Sequence, residues 1–417
     1  MDATAIDIAD PELYRSGGIP HDRFAELRGR AGLHWNAWPN RQGGFWAVTR
    51  RDDLVHVTRS PRVFTSEEFT TLWDGDLSDE AKRARRSLIE TDGDPHTRLR
   101  RLVTPPFTAR RVPEYEDATR AIAGGLLDAA IGAGDIDLVG ALAAPLPIRV
   151  IVSILGIPAS DGDFLVQLSN QLVEGATGVD DPGAYGNTTP LELLPFQSPA
   201  AHALFEFGRA LGAERRAQPA DDLVSRLISS EIDGDRLSDQ EFCNFFQLLV
   251  FAGNETTRTA ISNGLIALME HPDQLELLHD HPELIPNAVE EVIRYASPVL
   301  HMRRTALVDT EVAGTAVSAG DWLVLWYASA NFDEAHFDEP RRFDVARPVK
   351  PEHTAFGAHG PHHCLGAPLA RLEIRVLLEE MVARRVTVES AGPPERVRSN
   401  FVNGILSLPG RLTARAD

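Results

Sequence analysis

Cysteine is nearly absent from this chain: only Cys243 and Cys364 occur in 417 residues. A stabilising disulfide framework is thereby excluded, and no Cys-x-x-Cys or neighbouring His pair completes a closed tetrahedral zinc set. Positive charge is also short, leaving a formal net charge of -20 that opposes nucleic acid or an anionic membrane as partner. The first ten residues hold neither a basic segment nor an apolar run able to anchor the chain, so a cytoplasmic protein without a membrane anchor is expected. Missing too are Pro/Gly/Ser-rich linkers, dividing charge runs and internal repeats. Length alone would suggest two or three domains; without a dividing segment the expectation is a single domain over residues 1–417, mainly α with a small β region. A hydrophobic content of 43% is adequate for its core.

What is present concentrates around Cys364. It lies in Phe356-Gly-Ala-His-Gly-Pro-His-His-Cys364-Leu-Gly366, a glycine-rich loop running into a segment where Leu369, Leu372, Ile374, Leu377, Leu378 and Met381 recur at helical spacing. Pro368 falls in the first turn of that helix. A thiolate there is stabilised by the positive helix end and by backbone N–H groups, which Gly360 and Gly366 would let approach the sulfur. This setting suits an iron-bound thiolate. The competing readings are a plain buried cysteine and a zinc site using His359, His362 and His363. Cys243, among Phe242, Phe245 and Phe246, reads as core filling.

Four further segments carry candidate chemistry. In Asp94-Pro-His96-Thr-Arg-Leu-Arg100, His96 and Arg100 share one helix face and could reach a single carboxylate, or could simply face solvent. Ser238 and Glu241 form a capping box that opens a long helix running to about Met269, before His271-Pro272. Inside it, Ala252-Gly253-Asn254-Glu255-Thr256 places a glycine in mid-helix at a cost of about 1 kcal/mol relative to alanine. Thr256 can bond back to the carbonyl of Ala252 and bend the helix. Glu291 and Arg294 stand at i, i+3 as an ion pair. Finally, His301-Met-Arg303-Arg304 leads towards an apolar strand, Trp322 to Tyr327, and one residue of register decides which arginine faces inward.

The cysteine loop, together with these segments in this order, resembles the cytochrome P450 family of haem-thiolate monooxygenases, over about Ile19 to Leu412. The resemblance implies a P450 fold, with haem b held between the long central helix and the helix after the cysteine. Cys364 would be the axial iron ligand, and Phe356 and Gly366 would shape its loop. His96, Arg100, His362 and Arg304 would bind haem propionates, with Arg303 the rival to Arg304. Ala252 and Gly253 would make room over the iron for dioxygen, and Glu255 and Thr256 would pass protons to it. Glu291 and Arg294 would be buried and joined by a second arginine, best matched by Arg342, as a structural ion-pair set.

Two departures stand out. Phe356 lies eight residues before Cys364, one more than the family commonly has, as in bacterial members acting on sterols and branched lipids. Phe332 occupies a position where related sequences often have Arg, with no functional reading of its own. Expected substrate-pocket residues are Ile89, Leu249, Ala252, Val299, Leu300 and Val402, in an apolar pocket for a hydrophobic small molecule such as a sterol, terpenoid, lipid or polyketide, with Gly175 to Gln197 as a lid. No Gly-x-Gly-x-x-Gly follows a strand, so electrons would come from a separate ferredoxin and its reductase. Arg98, Arg101, Arg110 and Arg111 are the candidate docking patch. The expected activity is hydroxylation using O2 by a monomer. Oxidative coupling or peroxide-driven oxidation is the alternative, and a non-enzymatic haem sensor the third reading.

Overall fold

The computed structural model of this chain describes residues 6–39, 42–72, 79, 82, 86–158, 161–162, 164–165, 167–168 and 199–414. Its axis is the helix Asp239–Glu270, opened by the Ser238/Glu241 capping box the sequence implies and closed by His271 before Pro272. At 32 residues it is about 48 Å long, enough to run through the whole core. Helices Pro145–Ile154, Pro199–Ala217 and Ile285–Ala296 pack against it.

Small residues set those crossings. A Cβ on Gly264 would lie 2.9 Å from Val292 Cγ1, and one on Gly253 only 2.8 Å from Ile151 Cδ1. The mid-helix glycine therefore admits a neighbouring helix. The sequence had suggested that it clears space over an iron; Ala252, beside it, is the residue whose side faces open space.

The second long element near the site, Ala367–Ala383, begins after Gly366 with Pro368 in its first turn. Its apolar face meets Glu116–Ala130 and Ile285–Ala296. A network of Arg120, Arg375, Glu116, Glu379 and Glu380 laces its outer face to Glu116–Ala130. The main sheet orders strands His34–Ala37, Gly44–Val48, Trp322–Trp326, His301–Ala306 and Phe64–Thr65; only the Gly44 and Trp322 strands run parallel. Cys243 is buried core, as expected, and burial pushes its thiol up to about 12.

The Glu291–Arg294 pair is fully buried. Arg294 grips Glu291 bidentately at 2.7 and 2.8 Å, and its Nη1 donates to the carbonyls of Asn331 and Pro340, both at 2.9 Å. Arg342 is not the second arginine. Its side chain is exposed beside Glu339, and Arg347 Nε reaches Glu291 Oε2 at 3.0 Å in its place. Phe343-Asp-Val-Ala-Arg347 turns the chain so that the Asp344 N–H also donates to Glu291. A buried carboxylate takes the cation that the backbone aims at it, and sequence distance does not reveal that aim. Phe332 now has a role: its ring lies 5.1 Å from the Arg294 guanidinium and packs on Tyr295, so an aromatic face covers the buried cation.

Candidate active site

Cys364 ends the loop, its N–H donating to the Phe356 carbonyl at 2.8 Å. Its side chain is exposed on one side, but the protein packed around it pushes its thiol up, while the Gly366 amide, the Arg100 charge, the Ala367 amide and the Arg371 charge all pull it back towards the thiolate. Gly366 thus serves the sulfur as expected. Gly360 does not: a Cβ there would lie 2.5 Å from the Thr58 carbonyl, so it is small to let the loop pass the helix Arg51–Thr58. Gly357, Ala358 and His359 all take positive φ, of 91, 47 and 55°, which accommodates the lengthened loop.

Cationic and imidazole side chains gather at the cysteine loop from separate elements. Helix Gly93–Val103 carries His96 and Arg100. The His96 ring lies 4.4 Å from that of His362, and Arg100 acts electrostatically on Cys364. Strand His301–Ala306 decides the arginine question, since adjacent residues point to opposite faces. Arg303 stacks on Trp322 at 3.8 Å, whereas Arg304 turns inward, where it feels Tyr327 and Asp92. Asp92, which the sequence did not single out, accepts from His362 at 2.7 Å, the Thr65 hydroxyl at 2.7 Å and the Ser66 amide at 2.6 Å. Burial would raise its carboxyl, but these bonds outweigh that and hold it near 2. A turn acid just before a His-containing helix was the available signal.

The central helix presents Leu248, Leu249, Phe251, Ala252, Gly253 and Thr256 as a part-open stripe. Thr256 Oγ1 donates to the Ala252 carbonyl at 2.8 Å, the back-bond its position suggests. Glu255 is not brought to Thr256. It turns towards the 397–404 segment, where a Cβ on Gly404 would lie 3.4 Å from its Oε1. Thr259 hydroxyl donates to that oxygen at 3.3 Å and Oε2 has no partner. Burial pushes the Glu255 carboxyl up to about 7 against the pull of Arg258.

Of the expected pocket residues, Val299 and Val402 pair across an isolated bridge and, like Ile89 and Leu249, are half-buried. Leu300 is misassigned: fully buried, it packs in the separate core of Phe24, Phe45 and Trp326, because it points to the other side of the chain from Val299. The Gly175–Gln197 segment lies outside the described residues. Arg98 is not part of a free patch; it is bound to Asp235 and Glu241, bracing the start of the central helix. Arg101, Arg110 and Arg111 line one surface groove of about 610 Å³ together with Arg100, with Arg101 paired to Asp233 and Arg111 to Glu114.

The arrangement fits a haem with a thiolate ligand. Buried His96 Nε2 has no partner, and among the described residues no carboxylate pairs with Arg100 or Arg304, so the donor set awaits an anion-bearing group beside the thiol. Haem, with its two carboxylates and an iron that takes sulfur, meets that description. No group of three metal-ligating side chains occurs among the described residues, which counts against the zinc reading.

Comparison with known proteins agrees. The family model described as Cytochrome P450 matches residues 202–412. A steroid C26-monooxygenase of Rhodococcus jostii is 38% identical over 96% of this chain and 83% of its own length. A methyl-branched lipid omega-hydroxylase of Mycobacterium tuberculosis is 39% identical over 97% of this chain and 95% of its own. Among solved structures, a Mycobacterium marinum cytochrome P450 in complex with pseudoionone superposes with a TM-score of 0.84 at 38% identity, covering 97% of this chain and 98% of that one. The chain belongs to the cytochrome P450 family, and is a haem-dependent monooxygenase. No helix among the described residues is long and apolar enough to cross a membrane.

Proposed function

We propose that the chain, acting as one domain over residues 1–417, hydroxylates a sterol or methyl-branched lipid, with electrons delivered by a separate ferredoxin and its reductase. The observation that carries the reading is the cluster of His96, Arg100, Arg304 and His362 at the Cys364 loop, together with the half-open apolar stripe of the central helix. Cys364 would ligate the haem iron, its sulfur held by the Gly366 and Ala367 amides. Arg100, Arg304 and His96 would take the carboxylates of the cofactor; His362 Nε2 is already committed to Asp92, which orients the ring. Haem, when bound, would supply the chemistry of dioxygen activation.

The protein's own part on the distal side is proton supply. Thr256 holds its hydroxyl on the open face, and Glu255, with a carboxyl near 7, holds a proton to lose at neutral pH. Because the two do not touch, a water or a turn of the Glu255 side chain must bridge them. Leu249, Ala252, Val299, Val402 and Ile89 line the apolar approach.

Substrate class rests on three supports: the apolar stripe, the loop one residue longer than the family commonly has, and the activities for which the two relatives are named. Titration with sterols and methyl-branched fatty acids should produce the spectral change of water leaving the iron; a response confined to polyketides or peptides would move the reading to antibiotic-type biosynthesis. Turnover with peroxide alone, or product without label from labelled dioxygen, would favour coupling or peroxide-driven chemistry. For the electron donor, Arg101, Arg110 and Arg111 form the acceptor surface of a cytoplasmic monomer. Reversing their charge should slow ferredoxin-driven turnover and remove its salt dependence; unaffected turnover would remove the groove from this role.

A further inference from the structure

Glu290, beside Glu291 on helix Ile285–Ala296, points into a different network. Its Oε1 accepts from Arg371 Nε at 2.6 Å and its Oε2 from Arg371 Nη2 at 2.9 Å, a bidentate fork. The same Oε2 lies 3.2 Å from Nε2 of the buried His353. Arg371, on the helix after the cysteine, lies with its guanidinium 4.5 Å from the centre of the Phe356 ring. His353 packs on that ring from another direction, with centroids 5.5 Å apart. Phe356 in turn accepts the N–H of Cys364 through its carbonyl, at 2.8 Å. One carboxylate therefore ties both ends of the 353–364 loop and the helix after it to a third element.

The need for such a tie is visible in the loop. Ala358 and His359 hold left-handed backbone, at φ of 47 and 55°, that non-glycine residues adopt only against steric strain. Left to relax, that loop would carry the sulfur with it. The Glu291 network reaches this loop at its start, where the Thr354 N–H and hydroxyl donate to the Asn331 side chain at 2.6 and 2.8 Å. The cationic and imidazole contacts on the Phe356 ring from Arg371 and His353 come from the Glu290 side.

We propose that Glu290 is a positioning residue for the cysteine ligand: by holding Arg371 against Phe356 and His353 beneath it, it sets how firmly the sulfur is kept on the metal and how much charge the sulfur carries. This rests on the haem-thiolate reading. Glu290 and Arg371 act in series on one face of Phe356, so losing either loosens that face, and the Arg371 cation also bears directly on Cys364.

The test uses the haem-loaded protein with Glu290→Gln, Arg371→Gln and Arg371→Lys, which approximate the native volumes, and the Glu290→Gln/Arg371→Gln double variant. The first readout is the rate at which the reduced carbon monoxide complex loses its thiolate-type band on mild warming. Each single variant should lose it roughly 10- to 100-fold faster, as supporting partners of metal ligands do, and the double variant no faster than the singles. The second is the reduction potential: Glu290→Gln should raise it and Arg371→Gln lower it, since one removes an anion and the other a cation near the sulfur. Arg371→Lys should restore the potential yet keep the fast band loss, because it returns charge without the fork. Wild-type band loss in Glu290→Gln, additive losses in the double variant, or potentials moving in the same direction would overturn the proposal. A native protein without a thiolate band would instead sink the haem-thiolate reading beneath it.

Discussion

The two sides of this site are built to different standards. On the cysteine side three carboxylates each have several partners: Glu291 holds Arg294 and Arg347, Glu290 holds Arg371 and His353, and Asp92 holds His362, Thr65 and Ser66. On the distal side Glu255 keeps one oxygen without a partner, and Thr256 bonds only to its own helix. Buried charges fully paired give rigidity, whereas a half-satisfied carboxyl stays neutral and ready to exchange a proton. The side that must hold a cofactor is over-determined; the side that must admit substrate and protons is left under-determined.

The sharpest way to break that contrast is at the sulfur. Cys364→Ser should abolish the thiolate-type carbon monoxide band and turnover together, and survival of either would end the haem-thiolate account. Next comes the rigid side. Truncating Glu291 or Arg294 should cost about 3–5 kcal/mol because it strands a buried charge, and Arg347→Ala a substantial part of that, read by denaturant unfolding. Arg342→Ala, at an exposed pair, should change stability by at most about 0.5 kcal/mol; the reverse order would restore Arg342 to the ion-pair set.

Smaller effects are expected on the loose side. Thr256→Ala should retain haem and stability yet divert electrons to peroxide, measured as product formed per reducing equivalent. The smallest is a pH effect. Glu255 is raised from 4.5 to about 7 in the fold, so its neutral form is the stabilised one. Its contribution to stability is present in full below about 4.5 and is lost as pH rises through about 7. Coupling should fall over the same upper range, and Glu255→Gln should flatten both profiles; an unchanged pH dependence in that variant would assign the proton to another group.

Local rules carried most of what was legible. The capping box at Ser238, the start of a helix at Ala367, the back-bond of Thr256 and the His96/Arg100 face all depend on contacts within a turn of helix, and all appear where the sequence put them. Failures occurred where the answer depends on which way a non-helical segment turns. Arg342 lost its place to Arg347 because the bend after Phe343 aims the later residue at Glu291. Leu300 lost its place because one step along an extended chain reverses the side chain's direction. Gly253 and Gly360 were read as making space at the iron and sulfur, yet each is small because another element crosses there, Ile151 and Thr58 respectively.

By itself the sequence determined the thiol, the long capped helix and the order of the segments, since residue identity and short-range spacing are written directly in the chain. The tertiary structure alone decided which cations reach which carboxylates, that Glu255 turns away from Thr256, and that Glu290 ties Phe356 in place. Those are matters of direction in space between residues as much as 270 positions apart, as with His362 and Asp92, and direction exists only once the chain has packed.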